Sequence, residues 1–242
     1  KIKSISTNLP IKNLLSKKIN LEEIKIVSDN NKIQNVIDLF RAYQNNPQLF
    51  VLNKIVKDGF ISIESKIKFN QDGSINSNYL VDGKIEDLKI ELLNKNLIEN
   101  LETSFLIRGN EYLVYNLSLL YKSVNIKSNQ IKIFNNQNDF TFEGDISNQK
   151  GQISYDTFMP ILNDNIKNIL HEPLKISSNN KFFLRLSKKM KFTDIKFQSQ
   201  INLEEFKYSN NIFKRFFPGY KKNIKLENNS IKLDYNNNEY KI

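Results

Sequence analysis

Few side chains in this sequence could carry chemistry, and their spacing argues against it. The single histidine, His171, stands in Leu170-His171-Glu172-Pro173, where a basic ring suits the terminal carbonyls of a helix. One histidine and no cysteine exclude histidine-pair and thiolate metal centres, thiol nucleophiles and disulfides. No Gly-x-Ser-x-Gly elbow and no phosphate-cradling glycine loop occurs. Carboxylates alone can bind calcium or cleave a glycoside. The acidic pairs Glu22-Glu23, Glu86-Asp87 and Glu204-Glu205, however, fall where the local period turns them toward solvent. Asn116-Leu117-Ser118 and Asn228-Asn229-Ser230 match the glycosylation triplet, as chance alone provides among 37 asparagines. The expectation is a non-enzymatic protein with no catalytic residue, metal or cofactor.

The 242 residues are 39% hydrophobic and 26% charged, a balance that fits one folded domain with an ordinary core. A formal charge of +10 would ordinarily suggest phosphate-bearing partners. Lysine supplies nearly all of it, 32 against 4 arginines, beside 32 isoleucines and one alanine, Ala42. That is the drift of an AT-rich genome. Nucleic-acid recognition favours the arginine fork and exposed aromatic platforms, so nucleic acid is disfavoured as a partner. No apolar run reaches the ~18 residues of a spanning helix, and no leader opens the chain at Lys1. Because residue 1 is not methionine, the chain reads as a piece of a longer protein, with any anchor or targeting signal outside it.

The elements that would position any site are mostly strands. Leu21, Ile24 and Ile26 mark a strand before the cap candidates Asp29 and Asn30. Ile33, Val36, Ile37, Phe40 and Tyr43 then recur at helical spacing, which predicts a helix near residues 31–45 that ends at Asn45-Asn46-Pro47. From Gly59 the period changes to two: Ile61, Ile63, Ile67 and Phe69 alternate with polar residues up to the turn Gln71-Asp72-Gly73-Ser74. Tyr79, Val81, Gly83 and Ile85 return on one face, and Leu88, Ile90 and Leu92 continue with opposite parity, which requires a bulge at Glu86-Asp87. The grammar repeats in Leu101, Phe105 and Ile107, in Leu113 through Tyr121, in Val124 with Ile126, in Ile131 with Ile133, and in Phe140, Phe142 and Ile146. A second helix is predicted near 157–170. Short strands resume at Leu174 with Ile176, Phe182 to Leu186 and Ile195 to Leu203, followed by the aromatic cluster Phe213, Phe216, Phe217 and Tyr220. Two final strands follow, at Ile224 with Leu226 and Ile231 to Tyr235. Val81-Asp82-Gly83-Lys84-Ile85 echoes Phe142-Glu143-Gly144-Asp145-Ile146, a similarity that mid-strand glycine accounts for by relieving crowding.

Short, asparagine-rich connections predict antiparallel neighbours. The fold class is therefore mainly β with a few short helices, a single unit over residues 1–242: a long antiparallel meander of about a dozen strands curled into an open groove. Its inner face would be a greasy channel suited to acyl chains.

The order of these elements resembles the AsmA-like group of bacterial envelope proteins, which includes TamB and YhdP among the repeating β-groove bridge proteins. The similarity begins at Leu9-Pro10-Ile11-Lys12-Asn13-Leu14-Leu15, runs through the strand at Ile24 and Ile26 and the helix at Ile33 to Tyr43, and continues through the glycine-bearing strand pairs to Ile224 to Tyr235. The resemblance implies transfer of phospholipid between inner and outer membranes in support of outer-membrane biogenesis. It further implies a periplasmic location, an inner-membrane anchor outside this stretch, membranes at the ends of the full-length protein, and adjacent β-groove segments as neighbours. On that reading the lipid-binding wall comprises Ile61, Ile63, Ile67, Phe69, Tyr79, Val81, Ile85, Phe105, Ile107, Tyr115, Leu117, Leu119, Phe140, Phe142 and Ile146. Two alternatives stay open: an inert β-scaffold whose own side chains fill the face, and a basic polyanion-binding β-domain.

Overall fold

The computed structural model of the chain describes residues 2–8, 21–43, 47–70, 72–77, 79–92, 96–153, 174–189, 191–209, 223–237 and 239–241. The predicted helix near 157–170, His171, the Phe213 to Tyr220 cluster and the segment Leu9 to Leu15 lie outside the described residues.

The strands are β1 (Ile2–Asn8), β2 (Glu23–Ser28), β3 (Asn31–Lys32), β4 (Val56–Lys68), β5 (Leu80–Glu91), β6 (Leu97–Arg108), β7 (Glu111–Tyr121), β8 (Val124–Asn135), β9 (Asp139–Ile153), β10 (Leu174–Ser187), β11 (Phe192–Ser209), β12 (Asn223–Asn236) and β13 (Glu239–Lys241). They form one antiparallel sheet in chain order, β1-β2-β4 and onward to β13, with β3 paired to β4 beside β2. The sheet is open, with β1 and β13 at its two ends. Two short helices, α1 (Ile33–Tyr43) and α2 (Pro47–Ile55), lie between β3 and β4.

Several local expectations hold. Asp72 accepts hydrogen bonds from the Ser74 amide (2.9 Å) and hydroxyl (2.6 Å) in the β4–β5 turn, and Gly73 takes a φ of 85° there. Gly109, at φ 55°, turns the β6–β7 hairpin. The bulge at Glu86-Asp87 is present: Asp87 has φ 50° and the β5–β6 register shifts between Ile85 and Leu88. Asp29 and Asn30 do not cap the helix. They form a jog between β2 and β3 in which the Ser28 hydroxyl accepts the Ile63 amide proton at 3.0 Å.

Three further bulges step across the neighbouring strands. Asn100 in β6 and Asn116 in β7 adopt φ of 50° and 55°, and β8 carries an extra residue between Lys127 and Ile131. Asp145 holds this last bulge, accepting from the amides of Asn129 (3.1 Å) and Gln130 (3.2 Å) and from the Asn129 side chain (3.1 Å). Asn and Asp tolerate the left-handed region because their short polar side chains bond locally. Each bulge reverses side-chain parity and bends its strand.

The pieces predicted as separate short strands are fused: Leu174 to Leu186 is one strand, as are Val124 to Ile133 and Ile224 to Tyr235. Helix α2 and strand β1 carry no signal that separates them in sequence. Pro47 reads as a stop after Asn45-Asn46, whereas it begins a new helix, where its missing N–H costs nothing.

Among the described residues the main buried cluster is small and sits over β4 to β6. Ile33 and Ile37 of α1 pack with Val56, Ile61 and Leu88, and Val36, Ile55, Ile63, Ile85, Ile90, Leu101 and Phe105 surround them. Gly59, at φ 135°, permits this contact, since a Cβ there would lie 2.8 Å from the Leu88 Cα. Because Asn116 sits in the left-handed region, Asn116→Val is expected to lose about 1–2 kcal/mol of stability, whereas Asn116→Gly stays within about 0.5 kcal/mol of the parent. Urea denaturation of the two variants checks this.

Candidate apolar binding face

Directly paired residues in a sheet project from the same side, so the register defines two faces. One transverse row runs Ser65, Val81, Ile107, Tyr112, Ile133, Phe142, Leu184, Ile195 from β4 to β11. The row beside it runs Ile63, Gly83, Phe105, Val114, Ile131, Gly144, Phe182, Phe197, Tyr235 from β4 to β12. Neither contains a charge. The two glycines of the sequence echo both fall in this second row, each directly beside a phenylalanine. The Phe105 ring occupies the space above Gly83, where a Cβ would come within 2.3 Å of its Cζ.

The predicted residues divide on this map. Ile63, Val81, Phe105, Ile107 and Phe142 belong to the two rows. Ile61 and Ile85 pair one step toward the core, and with Ile63 and Phe105 they belong to the cluster around α1. Ile67 pairs with Ile24, Leu117 with Ser128, and Leu119 with Ile126. Phe140 pairs with Asn135 and Leu186, its ring centroid 6.5 Å from that of Phe142. Ile146 pairs with Asn180. Phe69 and Tyr79 lie at hairpin ends, Phe69 bridged to Ile75 and the Tyr79 hydroxyl donating to the Gly109 carbonyl at 3.3 Å. All but Ile61 are half-buried.

Tyr115 is displaced to the other face. It pairs with Ser104, which pairs with Lys84, and the bulge at Asn116 separates it in parity from Leu117. Leu113 goes with it. Residues that complete the apolar face without having been assigned to it include Val114, Ile131, Ile133, Phe182, Leu184 and Phe197. Their signal was the same alternation, continued.

Toward the other end of the strands, β8 to β11 interrupt this face with small polar side chains. Ser199 donates to the Asn180 Oδ1 at 2.6 Å, and the Asn180 amide group donates to the Ser178 hydroxyl and the Ile146 carbonyl, each at 2.9 Å. Ser178 donates to the Asn148 side chain, which donates to the Ile176 carbonyl at 3.2 Å. Ser128, 4% exposed, finds no partner for its hydroxyl among the described residues.

The opposite face is polar. Lys25 bridges Glu64 at 2.7 Å, Lys89 bridges Glu99 at 3.0 Å, Lys57 bridges Glu91 at 3.3 Å and Lys132 bridges Glu143 at 3.8 Å; Lys84 also pairs with Glu86. Such exposed pairs contribute about 0–1 kcal/mol each. The hydrogen bond from Lys25 holds the Glu64 carboxyl below its ordinary range, aided by the charges of Lys25 and Lys66. Two adjoining hollows of about 540 and 570 Å³ lie on this face between β8 and β13, sharing Lys181, Gln198 and Asp234. Among the described residues no group of three or more His, Asp or Glu is placed to hold a metal ion, and no helix is long and apolar enough to cross a membrane.

Compared with protein-family models, with curated proteins and with solved structures, the chain matches none.

Burial, and secondarily the negative charge of Asp82, push the Tyr115 phenol above its ordinary value of 10.0. Its neutral form is thus favoured in the folded chain. The associated stability is complete below the unfolded phenol's pKa and is lost as pH rises through the folded one. In an ultraviolet phenolate titration, Tyr115→Phe is expected to remove a late-ionising component, and Asp82→Asn to move it to lower pH.

Proposed function

We propose that this chain is a non-catalytic, AsmA-like lipid-binding element whose apolar sheet face shelters phospholipid acyl chains during transfer between the inner and outer membranes. The observation that carries this reading is the pair of uncharged rows that cross the sheet. The longer spans nine strands, eight spacings of ~4.8 Å or ~38 Å in all. Among the described residues helical cover is confined to the strands β4 to β6, and no large side chain is fully buried. A face of this kind meets the main energetic need of a lipid leaving a bilayer, since each methylene kept from water is worth ~0.8 kcal/mol. Headgroups would stay in water beyond the rim. A wall of Ile, Leu, Val and Phe offers little to read them, so selectivity rests on chain length rather than headgroup.

The polyanion alternative is not favoured. Lysines of the polar face bridge carboxylates across strands, which among the described residues leaves no contiguous basic stripe of the kind phosphate binding requires.

Native mass spectrometry of the purified chain is expected to show retained phospholipid. Phe142→Asp should reduce it several-fold while lowering Tm by no more than about 4 °C, equivalent to about 1 kcal/mol. Phe105→Asp serves as the contrast: its ring packs against the core cluster and over Gly83, so folding itself should suffer. Absence of lipid, or equal loss of stability in both variants, would mean a filled scaffold.

A further inference from the structure

Helices α1 and α2 present a second apolar surface that the sheet does not cover. Leu39 and Phe40 of α1 and Phe50, Val51 and Leu52 of α2 are between 42% and 70% exposed. Phe40 continues the stripe of Ile33 and Ile37 beyond the region where the sheet buries it. Helix α2 reads Pro-Gln-Leu-Phe-Val-Leu-Asn-Lys-Ile, and its four consecutive apolar residues, Leu49 to Leu52, at about 100° per residue cannot all face one side. A helix apolar around most of its circumference requires cover on more than one side, and among the described residues the sheet supplies it only near Ile55 and Val56.

The charges around this surface indicate what covers it. The Arg41 guanidinium and the Lys54 ammonium stand 5.7 and 4.6 Å from the Phe50 ring centroid. The single acid of the two helices, Asp38, accepts a hydrogen bond from Asn53 at 2.5 Å and lies 3.6 Å from Arg41. Aromatic and aliphatic side chains rimmed by basic groups with apolar stems are the composition of an interfacial membrane helix. At 11 and 9 residues the helices are far too short to span a bilayer.

We propose that the α1–α2 hairpin lies in the surface of an anionic bilayer, with Leu39, Phe40, Phe50, Val51 and Leu52 among the acyl chains and Arg41 and Lys54 at the phosphates. Ile33 and Ile37, on the side of α1 facing the sheet, would stay packed in the core and so fix the hairpin, and the bilayer it enters, beside β4 to β6. This deepens the acyl-chain reading and rests on it only for its purpose; docking itself requires no groove.

Vesicle co-sedimentation tests it, with equal parts phosphatidylglycerol and phosphatidylcholine in one arm and phosphatidylcholine alone in the other. The unaltered chain is expected to bind the anionic vesicles more tightly, and less so in high salt. Phe50→Asp combined with Val51→Asp should weaken binding about tenfold or more through lost apolar burial. Arg41→Gln combined with Lys54→Gln should weaken binding to anionic vesicles by roughly fivefold per cation and leave neutral vesicles unaffected. These side chains are exposed, so the thermal melt should not move. No vesicle binding, or binding indifferent to both pairs, overturns the proposal. So does concentration-dependent dimerisation abolished by the Phe50 and Val51 pair, since a second copy would then be the occupant. Phospholipid retained by the hairpin variants, and vesicle binding retained by Phe142→Asp, keep failure of docking distinct from failure of the groove.

Discussion

Side-chain parity along the strands is the constraint on which this structure depends. A strand offers alternate residues to opposite faces, so one inserted residue exchanges an apolar face for a charged one. The chain inserts such residues in four adjacent strands, at Asp87, Asn100, Asn116 and Asn129, and the apolar face survives because the sequence changes phase at each. The conformations are held by Asn and Asp in the left-handed region and, in β8, by the Asp145 carboxylate bonded across to the bulge. Matched bulges in neighbouring strands let the ladder resume on both sides of the irregularity. The sheet is thereby bent without being broken.

This arrangement separates two kinds of surface. On one side, two uncharged rows run from β4 to β11 and from β4 to β12; on the other, lysines and carboxylates alternate and bridge. The bridges contribute little to stability individually, and their effect is to keep that side hydrated. The apolar side lacks a layer equal to its extent among the described residues, since α1 and α2 reach only the β4 to β6 end. A sheet with one open apolar side ordinarily invites association, and the lipid sheltering proposed above would be one such association. The polar chain through Ser199, Asn180, Ser178 and Asn148 marks where the apolar wall ends on β9 to β11.

The spacing of apolar residues already recorded much of this. An interval of three in a pattern of two appears between Ile85 and Leu88, Ile98 and Leu101, Val114 and Leu117, and Ser128 and Ile131. The first was legible as a bulge because Gly83 and Ile85 fixed the phase before it. The third was obscured, since Leu113, Tyr115, Leu117 and Leu119 form an unbroken apolar alternation that belongs to two faces. Phe182, Leu184 and Phe197 were legible as strand residues but not as continuations of the same wall. Ser177-Ser178-Asn179-Asn180 has the composition of a loop, yet side-chain hydrogen bonds to β9 and β11 keep it in the middle of a strand.

The amino-acid sequence alone determined the antiparallel meander, the first helix, the principal turns and the absence of thiol or histidine-pair chemistry, because each follows from local period or from residue type. Only the tertiary structure decided which strands are continuous, which face Tyr115 occupies, where the helices stop covering the sheet and that α2 exposes its apolar side chains. Those outcomes depend on register across strands and on what lies opposite a side chain. Neither is encoded in the spacing of residues along one strand.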